Sequence, residues 1–129
     1  MMLDTNICIY LMNSKDEKLL TKFKEHQDDL KISSITLGEL QYGVYHSSRV
    51  EQNAIALLNF LALIEVVNFD DNAALEYGKV RAYIKSIGKP IGPLDMLIAG
   101  HALSLCETLV TNNVKEFIRV PNLKIENWV

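Results

Sequence analysis

The chain is short of the residues that staple, anchor or break a polypeptide. Its two cysteines, Cys8 and Cys106, lie far apart in apolar surroundings with neither C-x-x-C spacing nor a second pair, which excludes a disulfide scaffold or a zinc site and reads as two buried, reduced thiols. Three prolines and no low-complexity tract leave nothing that marks a linker, so one domain spanning 1–129 is expected. No stretch approaches the roughly 18 uninterrupted apolar residues of a membrane span. An acid at position 4 stands where a secretion signal would carry basic residues and then an apolar core, so a cytoplasmic protein without membrane contact is expected. Cationic excess is missing too: 13 Lys and Arg against 16 Asp and Glu give a net charge of −3, which argues against a general nucleic-acid coater.

Motifs of several enzyme classes are absent as well. Gly38, Gly43, Gly78, Gly88, Gly92 and Gly100 build neither a G-x-G-x-x-G turn nor a P-loop, so backbone amides do not cradle a nucleotide. No serine sits in a nucleophile elbow. His26, His46 and His101 have no partner at metal-ligand spacing and read as packed or surface residues.

What is present is a regular alternation. Residues 1–3 are a strand candidate, followed by a helix over 7–12, a helix over 17–26, a brief strand over 31–35 and a helix over 37–45. Positions 52–62 carry Ile55, Leu58, Leu61 and Ala62 as one helical stripe, and 64–69 is a β-branched strand closed by Asp70 and Asp71. A helix over 72–87 is stopped by Gly88 and Pro90, and Pro93 opens another whose apolar side is Leu94, Leu97, Ile98, Ala102 and Leu105. A strand over 108–110, a short helical segment to 117 or 118 and a last strand over 124–126 complete the chain. Strands alternating with helices predict an α/β fold, a mostly parallel sheet covered on both faces. In such sheets the site lies beyond the carboxyl ends of the strands, near the point where strand order reverses.

Four acids fall at those junctions: Asp4, Glu39, Asp95 and Glu116. Each has a plain structural role available. Asp4 can cap the first helix for about 1 kcal/mol, but Asn6 is nearer and serves equally well. A carboxylate at the end of a central strand is then costly unless something pairs with it. Thr36-Leu37-Gly38-Glu39 fits a capping box, Asp95 sits in a helix first turn that favours an anion, and Glu116 reads equally as a surface charge. It is the joint pattern, four acids at junctions facing one edge of the sheet, that points to a divalent metal and phosphodiester chemistry. Lys79, Arg81, Lys85 and Lys89 form a local basic run with no acid among them, either a solvated helix face or a track for phosphates.

The segments Met2-Leu3-Asp4-Thr5-Asn6, Gly38-Glu39-Leu40, Pro90-Ile91-Gly92-Pro93-Leu94-Asp95 running on to Ile98-Ala99, and Thr111-Asn112-Asn113 before Glu116-Phe117 together resemble the PIN-domain ribonucleases, specifically the VapC toxins of type II toxin–antitoxin pairs. The likeness covers the whole chain, including the closing Glu126-Asn127-Trp128. It implies a single PIN-like domain in which Asp4, Glu39, Asp95 and Glu116 are catalytic, with Asp4 and Asp95 as direct or water-mediated ligands of Mg²⁺, or of Mn²⁺ in its place. Glu39 would bind a second ion or hold and deprotonate the attacking water. Thr5, Asn6, Thr111 and Asn113 would support the acids. Where many family members have an aspartate this chain has Asn113, so the fourth position falls to Glu116 or to a neutral ligand.

The resemblance further implies a toxin that hydrolyses structured RNA, with tRNA and the initiator tRNA anticodon region as the expected target and Lys79 to Lys89 following its backbone. A homodimer, a VapB-type antitoxin whose tail blocks the acidic groove, and contact with operator DNA only through that antitoxin are implied too. Leu40, Tyr42, Val44 and Tyr45 are candidates for the dimer or the antitoxin contact, with core packing expected for at least half of them. The rival readings are a structure-specific DNA nuclease on the same fold and a non-catalytic metal-binding interaction module.

Overall fold

The strands of this chain are apolar on both sides, and the computed structural model, which describes all 129 residues, shows where each side goes. Strands β1 (Met2–Leu3), β2 (Lys31–Ser33), β3 (Glu65–Val67), β4 (Leu109–Val110) and β5 (Ile125–Glu126) form one sheet in the order β3-β2-β1-β4-β5. All neighbours are parallel, with Met2 opposite Leu109 and Leu3 opposite Val110. Because side chains alternate across a strand, Met2 and Leu109 enter one core and Leu3 and Val110 the other. A parallel sheet needs both faces covered, and these two cores are the result.

Helices α1 (Thr5–Asn13), α2 (Glu17–His26), α3 (Ser34–Tyr45) and α4 (Val50–Leu61) cover the first face. There Ile7, Cys8, Leu19, Phe23, Leu40, Val44, Leu57 and Phe60 pack with Leu3, Ile32 and Val110. Helices α5 (Asp71–Ile87), α6 (Pro93–Ser104) and the short α7 (Val114–Phe117) cover the second, through Val80, Ile84, Ile98, Ala99, Ala102 and Phe117. Helices α5 and α6 lie so close that a Cβ on Gly100 would meet the Tyr77 backbone nitrogen at 2.6 Å. None of the helices is long and apolar enough to cross a membrane.

Local signals explain most boundaries. Asp70 caps α5 by accepting from Ala73 N–H at 3.0 Å, Gly88 ends it in the left-handed region at φ 66°, and Pro93 opens α6. Two capping expectations are corrected. Asp4, and not Asn6, caps α1, accepting from Ile7 N–H at 2.9 Å. Helix α3 begins earlier, capped by Ser33, so Thr36 is a buried first-turn residue and no capping box with Glu39 exists. Strand β2 ends at Ser33 with its β3 pairing, which leaves that serine as the turn residue.

Three packing expectations change as well. In α4, Ile55 and Leu58 are 60% and 68% exposed, while Leu57 and Phe60 are buried with Val50, Ala54 and Leu61 packed beside them; a neighbouring stripe at the same helical spacing faces the core. In α6, Leu94 and Leu105 are exposed and Ile98 to Ala102 are buried without a gap, because the helix is enclosed by the sheet on one side and α5 on the other. Cys8 is buried as expected, but Cys106 is exposed, on a positive-φ turn (φ 54°) after α6.

Candidate active site

The chain leaves the central strand β1, builds β2 and β3 on one side, and returns to β4 and β5 on the other. Strand order therefore reverses between β1 and β4, and a crevice opens at their carboxyl ends. Asp4 directly follows β1 and Thr111 directly follows β4. Their backbones prolong the ladder, Asp4 N–H reaching Val110 O at 3.0 Å and Thr111 N–H reaching Glu126 O at 2.9 Å.

Asp4 is 3% exposed and lacks a cationic partner. Burial pushes its pKa up, opposed by hydrogen bonds from Thr111 and the Ile7 amide, and the charge of Glu39 adds to the rise. Thr111 Oγ1 accepts from Asn113 N–H at 2.9 Å, so its one proton points to Asp4. Asn113 Nδ2 in turn donates to Glu116 Oε2 at 2.9 Å. Thr111, Asn113 and Glu116 thus form one connected edge leading from β4 to α7.

The opposite edge is built by α1 and α3. Thr5 Oγ1 donates to Glu39 Oε1 at 2.7 Å and lies 3.4 Å from Thr36 Oγ1. Asp95 enters from the first turn of α6, where a Cβ on Gly92 would stand 3.5 Å from its Oδ2. Its pKa is pushed up to about 7, first by burial, then by the hydrogen bond to Glu116 and that group's charge, then by Asp4 and Glu39. Four acids far apart in the chain therefore act on one another electrostatically at the end of the sheet. The chain's ion pairs go to Asp29, Glu107 and Glu76 and to none of these four.

The other expected residues divide. Asn6 is exposed and lines a groove of about 700 Å³ with Thr5, Ile9, Glu39, Tyr42 and Leu94. Arg81, Lys85 and Lys89 line a separate groove of about 400 Å³ with Met96, the neighbour of Asp95. Lys79 does not join them. It lies 3.4 Å from Glu76 on another face of α5, beside Tyr83 and Asn122. Leu40 and Val44 are core residues, whereas Tyr42 and Tyr45 are 67% and 72% exposed.

Two buried polar residues on α3 and α6, the helices that carry Glu39 and Asp95, were not singled out by sequence reasoning. Thr36 was assigned to a cap and instead lies buried beside Thr5. His101, surrounded in sequence by Ile98, Ala99, Gly100 and Ala102, is 1% exposed and bonded to Ser33. A polar ring inside an unbroken apolar run was the available signal.

The PIN domain profile matches residues 1–123. The chain is 42% identical over 127 residues to the tRNA(fMet)-specific endonuclease VapC of Salmonella typhimurium, spanning 98% of this chain and 96% of that protein. It belongs to the PIN-domain family, on its VapC branch. Identity to Ribonuclease VapC2 of Rickettsia felis is 44% over 129 residues, covering 98% of this chain and 96% of that one. The fold superposes on the crystal structure of DNA-bound VapBC from Salmonella typhimurium with a TM-score of 0.96 at 42% identity, over 99% of this chain and 97% of that one. It superposes on VapBC2 from Rickettsia felis, bound to a promoter DNA fragment, with a TM-score of 0.95 at 43% identity, over 99% and 98%.

PIN domains depend in general on divalent metal, and this site's chemistry fits one. Its donors are all oxygen, the set that suits hard cations. Asp95 holds a proton against Glu116 well above the ordinary carboxylate range, and a cation can take that proton's place. No three of its side chains are disposed to hold an ion by themselves.

Proposed function

We propose that this PIN domain is the toxin subunit of a toxin–antitoxin pair and a Mg²⁺-dependent endoribonuclease, with Mn²⁺ able to replace Mg²⁺. The observation that carries the reading is that four acids without a cationic partner act on one another at the crevice between β1 and β4, which pushes the pKa of one, Asp95, up to about 7. Asp4 and Asp95 hold the ion, directly or through water. Bound there, the ion supplies positive charge to the phosphate oxygens and acidifies water. Glu39, fixed by the Thr5 hydroxyl, orients the attacking water and accepts its proton. Glu116 fills the fourth acidic position and Asn113 holds its carboxylate in place. Thr111 keeps Asp4 in one orientation while giving up no charge.

The substrate is structured RNA. The Salmonella typhimurium relative is named for tRNA(fMet), and the same target is proposed for this chain, in the anticodon region. Single-stranded loops expose their backbone to cationic grooves, and the groove lined by Arg81, Lys85 and Lys89 follows that backbone. Lys79, assigned to the same track by its place in the sequence, faces elsewhere and is left out of it.

The solved VapBC relatives contain an antitoxin and promoter DNA. For this chain a VapB-type antitoxin is proposed to cover the groove beside Glu39, where Ile9, Tyr42 and Leu94 offer apolar surface. Operator DNA is reached through that antitoxin, and the toxin pairs with a second copy of itself. The test is incubation of antitoxin-free protein with total bacterial RNA in Mg²⁺, beside an EDTA control and Asp4→Asn, with mapping of new ends. Discrete cuts lost in both controls support the nuclease; Mg²⁺ binding with no cut in any RNA or in matched DNA makes the chain a binding module.

A further inference from the structure

One buried group takes no part in the chemistry above. His101 lies on α6, the helix that begins beside Asp95, and is 1% exposed. Its Nδ1 is 2.8 Å from Ser33 Oγ, and Ser33 Oγ already accepts the Ile35 amide proton at 3.0 Å. The pair bonds with either group donating: if the serine donates, the imidazole carries its own proton on Nε2, and if Nδ1 donates, Nε2 is a bare acceptor. Nε2 has no partner. Phe69 packs edge-on against the ring at 5.4 Å, and its amide donates to Ser34 Oγ at 3.0 Å.

A leucine would fill this space without leaving a buried polar atom unpaired, and an unpaired one is costly. What leucine cannot do is hydrogen-bond Ser33. Ser33 caps α3, and α3 carries Thr36 and Glu39. The bond thus ties the start of one acid-bearing helix to the body of another.

We propose that His101 is a positioning residue: through Ser33 it locks the first turn of α3 against α6 and so sets the gap between Glu39 and Asp95. A slip of that turn would carry Glu39 away from its bond with Thr5. The inference rests on the nuclease reading for its kinetic readout, and metal affinity gives it a second, independent one.

Three variants separate the possibilities. Asn keeps a polar atom, Oδ1 or Nδ2, near the position of Nδ1 and able to bond Ser33 in either direction; Leu removes that atom; Gln moves its amide toward the position of Nε2. His101→Asn is expected to stay within about three-fold of wild type in kcat and in Mn²⁺ affinity by calorimetry. His101→Leu and His101→Gln are expected to lose on the order of 10- to 100-fold in kcat at unchanged KM for RNA, and about 10-fold in Mn²⁺ affinity. His101→Leu should nonetheless melt at or above the wild-type temperature. Wild-type kcat and Mn²⁺ affinity in His101→Leu would overturn the proposal. So would His101→Asn being as impaired as His101→Leu, or losses that follow melting temperature across the three. If wild-type protein cuts no RNA the nuclease reading fails by itself, and the Mn²⁺ series still decides the role of His101.

Discussion

Asp95, in the first turn of α6, and Glu116, on α7, act on each other at the end of the sheet, and together with burial this pushes the Asp95 pKa up to about 7. In the unfolded chain the same carboxyl titrates near its ordinary value of 3.8. Between those two pH values the folded state binds more protons than the unfolded one, so stability falls as pH rises. The stabilising contribution is complete below the unfolded value and is lost as pH passes the folded one. Relative to an Asp95→Asn variant, which carries the same opposite contribution of His101, whose pKa burial lowers, melting in EDTA should therefore drop from pH 5 to pH 8, and Mg²⁺ or Mn²⁺ should restore it most at pH 8, where no proton competes. A melting temperature that rises with pH in EDTA relative to that variant would contradict this assignment.

Removing one member of the pair should shift that behaviour. In Glu116→Gln the neighbouring charge is gone, so Asp95 should titrate at lower pH and the loss of stability should move down with it. Metal affinity should fall by about 10-fold. Asn113→Asp is the converse: it replaces the amide that donates to Glu116 with another carboxylate. Metal-free stability should fall and divalent affinity should rise, both measurable by calorimetry on the same preparation.

Asp4 both caps α1 and faces the crevice, and two substitutions separate these roles. Asn caps as well as Asp, so Asp4→Asn should keep the fold while RNA cleavage falls by about 100-fold or more. Asp4→Ala should lose cleavage equally and, in addition, about 1 kcal/mol of stability with the cap. Full cleavage by Asp4→Asn would end the metal-nuclease reading.

The split of the basic run gives a salt test. Each of Arg81→Gln, Lys85→Gln and Lys89→Gln should weaken binding of a single-stranded oligonucleotide and lower the slope of log K against log salt by about 0.7. Lys79→Gln, on a different face of α5, should leave the slope as it is. Equal effects at all four positions would mean that the groove is not the track.

Packing between α5 and α6 should be sensitive at a single position. A methyl group on Gly100 would sit 2.6 Å from Tyr77 N, backbone that cannot rotate aside. Gly100→Ala should cost about 1–3 kcal/mol in denaturant unfolding, whereas Gly78→Ala, with open space around it, should not destabilise.

The α/β class and the order of elements were legible in the residues because they depend on local features. Short apolar runs and Gly88 and Pro93 at helix limits carry their own physical signature. Helix faces were less legible. Ile55 and Leu58 matched a helical stripe and are exposed, since α4 offers a second apolar stripe, Val50, Ala54, Leu57 and Leu61, and it is this one that meets the core.

What the sequence determined alone, then, is which groups the site has to work with: oxygen donors, few cations and no nucleophile. Tertiary structure decided their relations. Parallel pairing of β1 with β4 put Thr111 beside Asp4, the placement of α7 put Glu116 against Asp95, and enclosure of α6 buried His101 where only Ser33 reaches it. A proton held up to a pH of about 7 belongs to no residue's own chemistry; it arises because burial and three neighbouring carboxylates act on Asp95 at once, and only the fold brings them together.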